Sequence, residues 1–249
     1  MSFKNKVVII TGASSGIGAA AAKMFSKEGA QVVMVGRNET KLSAVAKQCS
    51  SPLVIRADVA NDDDARRVIN ETIKKFGQID VLVNNAGMAM KNGGLLGNDM
   101  IQVYDSIMNI NLRAVVHLTS LAAPHLIKTK GNIVNVSSIG GLAPPIDSGS
   151  TNYCISKAAL NHFTVCAAVE LGGYGVRVNT LSPGPVKTDF LENAKIELDF
   201  DIFRPSTMLN RVSEPEEMAD VILYLASDRA RGVTGSNYVN DNGMLIKKP

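Results

Sequence analysis

The feature that most constrains this chain is a glycine-rich turn in a fixed setting. Thr11-Gly12-Ala13-Ser14-Ser15-Gly16-Ile17-Gly18 follows the apolar run Val7 to Ile10 and leads into the alanine-rich stretch Ala19 to Phe25. The β-branched run reads as a strand and the alanine-rich stretch as a helix, so the glycines lie in the turn between them. Glycine there lets the backbone pass close to a ligand. The helix behind the turn aims unpaired N–H groups and the positive end of its dipole at that ligand, which suits a pyrophosphate. A P-loop is excluded, because no Gly-Lys-Ser/Thr follows the first glycine at the required distance.

The alternation of strand and helix continues along the chain. Apolar, β-branched runs place strands near 6–11, 31–36, 53–57, 80–84, 132–138, 175–182 and 236–240, and helical spacing fills 16–28, 38–48, 61–76, 99–127, 151–172 and 214–227. Short apolar strands separated by helices are the pattern of a parallel sheet covered on both faces. The expected fold is α/β: a doubly wound, seven-stranded parallel sheet flanked by helices on both faces. No repeat, low-complexity tract or linker divides the chain, so residues 1–249 are expected to form a single domain. The least regular stretch, 187–213, mixes Phe190, Leu191, Phe200, Phe203 and Met208 with charges and Pro205, and reads as a mobile substrate loop.

Composition excludes several classes. Lys plus Arg is 26 against 23 for Asp plus Glu, and a net charge of +3 is too small and too scattered for a nucleic-acid partner. Cys49, Cys154 and Cys166 cannot all pair within one chain and form no ligand cluster, which points to a reducing compartment. The first apolar run is too short for a signal-peptide core, and no stretch approaches the length of a membrane span. The C-terminal Lys247-Lys248-Pro249 matches neither the peroxisomal nor the reticulum-retention ending. A cytoplasmic location is therefore expected. His117, His125 and His162 have no partners at metal-ligand spacing, so no metal site is expected, and Asp62-Asp63-Asp64 reads as capping and dipole complement for the helix it opens.

The end of the second strand chooses between two dinucleotides. An acidic residue there would bind the adenosine ribose hydroxyls, whereas an arginine would pair with a 2′-phosphate. The segment reads Val35-Gly36-Arg37-Asn38, so Arg37, helped by Ser14 and Asn38, is the expected phosphate ligand and NADP(H) the expected cofactor. Farther along, Tyr153 and Lys157 lie four apart at a helix start, which puts phenol and ammonium on one face. A cation that close lowers an acid's pKa, so the phenol is expected to shift toward the range useful for proton transfer. Upstream, Ile133 to Ser138 is a strand ending in two serines at the sheet's carboxyl edge. Either serine, Ser137 or Ser138, can donate a hydrogen bond to a substrate oxygen there. Asn111, polar among apolar neighbours in a predicted helix, should make a specific hydrogen bond.

Taken in order, TGxxxGxG at 11–18, Asn84-Asn85-Ala86-Gly87, Asn111, Ser138, Tyr153-x-x-x-Lys157 and Pro183-Gly184-Pro185-Val186-Lys187-Thr188 resemble the classical short-chain dehydrogenase/reductase family. The resemblance runs from Lys6 to about Leu245. It implies a Rossmann-type sheet and an Asn–Ser–Tyr–Lys tetrad of Asn111, Ser138, Tyr153 and Lys157. It also implies a cofactor site. Gly12, Ser14, Ser15, Gly16, Ile17 and Gly18 would meet the pyrophosphate, Asp58 and Val59 the adenine, and Asn85, Ala86 and Gly87 the ribose and nicotinamide path. Pro183, Gly184, the Val186 backbone and the Thr188 hydroxyl would hold the carboxamide, and Tyr153 and Lys157 would also touch the cofactor.

The implied activity is NADPH-dependent hydride transfer between nicotinamide and a carbonyl or secondary alcohol. Tyr153 would be the acid, Ser138 would orient the oxygen, Lys157 would lower the phenol's pKa and hold the ribose, and Asn111 would support a proton-carrying water. The walls 88–96, 140–151 and 190–208 are mostly apolar, favouring a small lipophilic substrate. The alternatives are a 3-oxoacyl thioester reductase, a dehydratase or epimerase, and a non-catalytic NADP-binding sensor, against which the complete tetrad argues. The long helices 99–127 and 151–172 carry more apolar positions than one core face needs. A homotetramer is expected, with a dimer as the fallback. Two departures from the family pattern stand out: the Ser138–Tyr153 interval is about two residues longer than usual, and Asn242 replaces a glycine, a substitution the left-handed backbone tolerates.

Overall fold

The computed structural model describes residues 2–90, 94–145, 149–194 and 199–247. Its strands are β1 (Val7–Thr11), β2 (Gln31–Gly36), β3 (Leu53–Arg56), β4 (Val81–Asn84), β5 (Asn132–Val136), β6 (Arg177–Pro183) and β7 (Asn237–Asn240). All pair in parallel, in the order β3-β2-β1-β4-β5-β6-β7. Every strand expected from sequence is present, with no end shifted by more than two residues.

Why these runs are strands is visible in their two faces. In β1 every residue is buried, with Val8 and Ile10 pointing to one side and Val7 and Ile9 to the other. The first side packs on α1 (Gly16–Lys27) and α8 (Pro215–Ala226), through Ala20, Ala21, Phe25, Met218 and Ile222. The second packs on α3 (Asp62–Phe76), α5 (Ala114–Thr129) and α6 (Thr151–Gly172), through Val68, Leu118, Ala122 and Leu171. Burial on both faces removes the polar alternation of a half-exposed strand, which is why the sequence shows unbroken apolar runs. The run of alanines in α1 lets that helix lie close to the sheet, and truncating the fully buried Phe25 to Ala would cost about 3–5 kcal/mol.

Two local readings need correction. The single helix expected over 99–127 is divided into α4 (Met100–Met108) and α5 by a π turn at Asn109–Arg113. The cap of α3 is Asn61, whose Oδ1 accepts from Asp63 N and Asp64 N (both 3.0 Å), so the three aspartates complement the dipole but do not cap. The stretch 187–213 holds α7 (Phe190–Asn193) and a 3₁₀ turn at Phe200–Ser206. The remaining helix, α2 (Glu39–Ala46), starts at Asn38. Parts of the expected substrate walls and loop, residues 91–93, 146–148 and 195–198, lie outside the described residues. Among the described residues no helix is long and apolar enough to cross a membrane.

The strand order reverses between β1 and β4. Connections from β1 run toward β3 on one side and from β4 toward β7 on the other, which opens a crevice at the carboxyl ends of the strands.

Candidate active site

That crevice is a cleft of about 1440 Å³, larger than the roughly 300–1,000 Å³ of an ordinary ligand pocket and roomy enough for a dinucleotide beside a small substrate. Its floor is the glycine turn. Gly12 and Gly16 have φ of +66° and +52°, a region other residues enter at a cost of about 1–2 kcal/mol. Space reinforces the requirement. A Cβ on Gly12 would lie 2.8 Å from Asn85 Nδ2, one on Gly16 2.8 Å from the Thr188 methyl, and one on Gly18 2.3 Å from the Gly12 carbonyl oxygen.

Asn85 explains part of this crowding. Its Nδ2 donates to the carbonyls of Thr11 (2.9 Å) and Gly12 (3.3 Å), and Thr11 Oγ1 accepts from Asn85 N and Ala86 N (both 3.0 Å). Asn85 thus ties the end of β4 to the turn after β1, in addition to lining the cleft with Ala86 and Gly87. Behind it, Asn84 Nδ2 donates to Asn135 Oδ1 (2.9 Å), Asn135 Nδ2 to Thr164 Oγ1 (2.9 Å), and Thr180 Oγ1 to the same oxygen (2.8 Å). These buried hydrogen bonds join β4, β5 and β6 to α6 and give Asn84 a structural role.

The catalytic candidates converge at the carboxyl end of β5. Ser138 Oγ accepts from Gly140 N (3.0 Å), which leaves its proton for the Tyr153 phenol, with which it is hydrogen-bonded. Ser137, the competing choice, is buried and donates to the Lys157 carbonyl (3.1 Å), so its hydroxyl is committed inside the fold. Lys157 is 4% exposed; its ammonium donates to the Val136 carbonyl (3.0 Å) and lies 5.7 Å from the centre of the Tyr153 ring. Asn111, fully buried in the π turn, accepts from Met88 N (2.8 Å) and donates to Met88 O (2.9 Å) and Ser156 Oγ (3.0 Å). Gly87 keeps the space between them open: a Cβ there would sit 3.3 Å from Asn111 Oδ1 and 3.4 Å from Lys157 Nζ.

The electrostatics differ from the expectation that Lys157 lowers the phenol's pKa. Burial pushes the Tyr153 phenol up to about 12, against the Ser138 hydrogen bond that favours the phenolate, and burial lowers the Lys157 ammonium to about 8. Desolvation dominates both groups because the ammonium turns to a carbonyl rather than to the phenol oxygen. At neutral pH the pair is therefore a protonated phenol above a charged ammonium, an arrangement that can donate a proton and a hydrogen bond to an oxygen in the cleft. Ring packing with Phe190 of α7, at 5.8 Å between centres, covers Tyr153 on the substrate side.

At the other end of the cleft, Arg37 is 69% exposed and touches Asp58 only at 3.8 Å. Asn38, which lines the cleft too, caps α2, its Oδ1 accepting from Lys41 N (2.9 Å). The cap puts Lys41 in the first turn of α2, lining the cleft with Arg37 and Ser14. Sequence reading missed Lys41; the signal available was its position three residues after a capping asparagine. Asp58 and Val59 line the same end, and Ser15, Ile17, Pro183, Gly184, Val186 and Thr188 line the middle. Cys154, next to Tyr153, lines the cleft as well. Asn242 adopts φ +54°, as its glycine-like place requires, and its side chain donates to Ser213 Oγ (2.8 Å).

Comparison with known proteins agrees with this geometry. The family model described as enoyl-(acyl carrier protein) reductase matches residues 12–245. Meso-2,3-butanediol dehydrogenase of Serratia marcescens is 39% identical over 98% of this chain and 96% of its own. The 3-oxoacyl-[acyl-carrier-protein] reductase of Thermotoga maritima is 37% identical over 99% of this chain and all of its own. Among solved structures, a short-chain dehydrogenase/reductase of unknown function from Caenorhabditis elegans, crystallised with cofactor, superposes with a TM-score of 0.92 at 35% identity, covering 99% of this chain and 97% of that one. With near-complete coverage in each comparison and the Ser138, Tyr153 and Lys157 side chains gathered at the switch-point crevice, the chain belongs to the classical short-chain dehydrogenase/reductase family of oxidoreductases.

Proposed function

We propose that this protein is an NADP(H)-dependent oxidoreductase that interconverts a carbonyl and a secondary alcohol on a small, lipophilic substrate. The observation that carries the reading is the hydrogen-bonded Ser138–Tyr153 hydroxyl pair in the cleft, with the Lys157 ammonium buried beneath it. A pyrophosphate site is supported by the turn's Gly12, Ser14, Ser15, Gly16 and Ile17 lining the cleft, with the positive φ of Gly12 and Gly16 and their packing on Asn85 and Thr188 keeping side chains out of it. Preference for the 2′-phosphate rests on Arg37 at the rim and on the absence of an acidic residue at the end of β2.

The nicotinamide, when bound, supplies or accepts the hydride. Tyr153 holds the proton that the substrate oxygen takes up as alkoxide character develops. Ser138 donates a hydrogen bond to the same oxygen and sets its distance from the phenol. Lys157 holds the ribose hydroxyls and offsets negative charge on the phenol after proton transfer. Asn111 fixes the Met88 backbone and, through Ser156, the first turn of α6, and supports a water that returns protons to Lys157. Gly12, Ser14, Ser15, Gly16, Ile17 and Gly18 bind the pyrophosphate, Asp58 and Val59 the adenine, Asn85, Ala86 and Gly87 the ribose path, and Pro183, Gly184, Val186 and Thr188 the carboxamide.

The described substrate side of the cleft, with Met88, Ile139, Ala143, Phe190 and Phe203, carries no charged group, which supports an uncharged substrate. The segment 187–213 acts as its lid. A second reading, reduction of a 3-oxoacyl thioester, is favoured by the Thermotoga relative. The chain works as a single domain in the cytoplasm, and exposed Ile101, Val116, Val165 and Val169 on α4, α5 and α6 support a homotetramer, with a dimer as the fallback.

The test is NADPH oxidation by wild type and Tyr153→Phe against apolar ketones, diketones, quinones and an acetoacetyl thioester. The variant is expected to bind NADPH normally and lose turnover. Near-normal activity in Tyr153→Phe would eliminate the assigned acid.

A further inference from the structure

We propose that Lys41 is a shared ligand, held by Asp189 when the adenosine ribose is unphosphorylated and by the 2′-phosphate when NADP(H) is bound, so that the substrate loop senses which dinucleotide occupies the cleft. The inference rests on the NADP(H) reading above and adds to it a residue and a coupling.

Lys41 Nζ donates to Asp189 Oδ2 at 2.6 Å, with 44% and 36% of the two side chains exposed. The two residues belong to different parts of the site. Lys41 lies in the first turn of α2, beside Arg37 and Ser14 in the cleft wall. Asp189 lies at the root of the substrate loop. It follows Thr188, whose methyl occupies the space over Gly16, and precedes Phe190, whose ring packs on Tyr153. The pair therefore ties the phosphate-recognition corner to the segment covering the reacting end.

Its chemistry makes it exchangeable. Asp189, through its hydrogen bond, and Glu192 hold the Lys41 ammonium above the usual lysine range, so it is charged at any physiological pH. A half-exposed ion pair of this kind is worth only about 0–1 kcal/mol. A 2′-phosphate brings up to two negative charges and three acceptor oxygens against the carboxylate's one charge and two oxygens. An ammonium already in the cleft wall gains by moving from the carboxylate to the phosphate. Asp189 then loses its partner, and α7 loses its tie to α2. NADH has no such phosphate and leaves the pair intact.

The experiment is isothermal titration calorimetry of the full chain with NADPH, NADH, adenosine 2′,5′-bisphosphate and AMP. Wild type, Lys41→Gln, Asp189→Asn and, as a control on cofactor choice, Arg37→Ala are compared. Loss of one hydrogen bond to a charged group predicts about tenfold weaker binding of NADPH and the bisphosphate by Lys41→Gln, with NADH and AMP within about twofold. Asp189→Asn removes the competitor, so NADPH and the bisphosphate should bind about three- to fivefold tighter while NADH is unchanged. An Asp189→Asn variant that shifts NADPH and NADH equally, or neither, overturns the shared-ligand proposal. If Arg37→Ala still abolishes NADPH preference in that case, the cofactor reading stands alone. If wild type binds the bisphosphate no better than AMP, both fall together.

Discussion

Replacing Lys157 by methionine should stabilise the cofactor-free protein even as it removes function. Lys157 is 4% exposed, and burial lowers its pKa from the ordinary 10.5 to about 8. The folded protein therefore releases this proton near pH 8, whereas the unfolded chain keeps it until 10.5. Between those values the unfolded state binds more protons, so the free energy of unfolding rises with pH, and below pH 8 the whole cost of burying the charge is present. At about 1.4 kcal/mol per pKa unit that cost is about 3 kcal/mol. Methionine has a similar length and no charge. It removes the cost but leaves the Val136 carbonyl without its 3.0 Å donor, a loss of about 1–2 kcal/mol. The net gain at pH 7 is then about 1–2 kcal/mol, or a rise in Tm of about 5 °C for a chain of this size. The assay is urea denaturation without cofactor at pH 7 and pH 10, with the wild-type-minus-variant difference cancelling titrations the two proteins share. The variant's advantage should disappear by pH 10, where the wild-type amine is neutral and still bonded. A variant less stable than wild type at pH 7, or a difference that does not change with pH, refutes the reasoning.

Two substitutions separate the parts of the cofactor site. Arg37→Asp should reverse the ratio of NADPH to NADH efficiency in steady-state kinetics; a ratio that barely moves removes Arg37 from the phosphate site. Gly16→Ala places a methyl 2.8 Å from Thr188 at φ +52°, and should weaken both dinucleotides alike by about tenfold in direct titration, since strain of about 1–2 kcal/mol falls on the pyrophosphate turn that both share. A selective effect on NADPH would place the turn's role elsewhere.

The sheet could be read most directly where its strands are buried on both faces, so β1, β2 and β4 appear as apolar runs at nearly their observed bounds, while β7, half-buried or exposed throughout, carries asparagine at both ends. The glycine turn, Ser138, Tyr153 and Lys157 were legible for a related reason: local spacing puts each at the carboxyl end of a strand or the start of a helix. What stayed hidden depends on contacts distant in sequence. The π turn at Asn109–Arg113 coincides with Asn111 bonding the Met88 backbone twenty-three residues away, which no helical periodicity reveals. The phenol's pKa follows burial rather than the nearness of a cation along one helix face. Asn61 rather than the aspartates caps α3 because its Oδ1 reaches two backbone N–H groups at once.

The strand order also sets a schedule for synthesis. β1 pairs with β2 and, through Val8 and Val81, with β4, so the first half of the chain completes a four-stranded unit only after a loop of about 70 residues has closed. The dinucleotide turn sits at the centre of that unit, whereas Ser138, Tyr153 and Lys157 come later from the ribosome. Until β5 arrives, β4 is an open edge, buried on both faces in the finished protein and paired only with β1 in the nascent one. Such an edge is a template for pairing with another chain. Ribosome-bound chains ending between β4 and β5 are therefore the aggregation-prone stage of this fold, and addition of β5 both closes that edge and brings in Ser138.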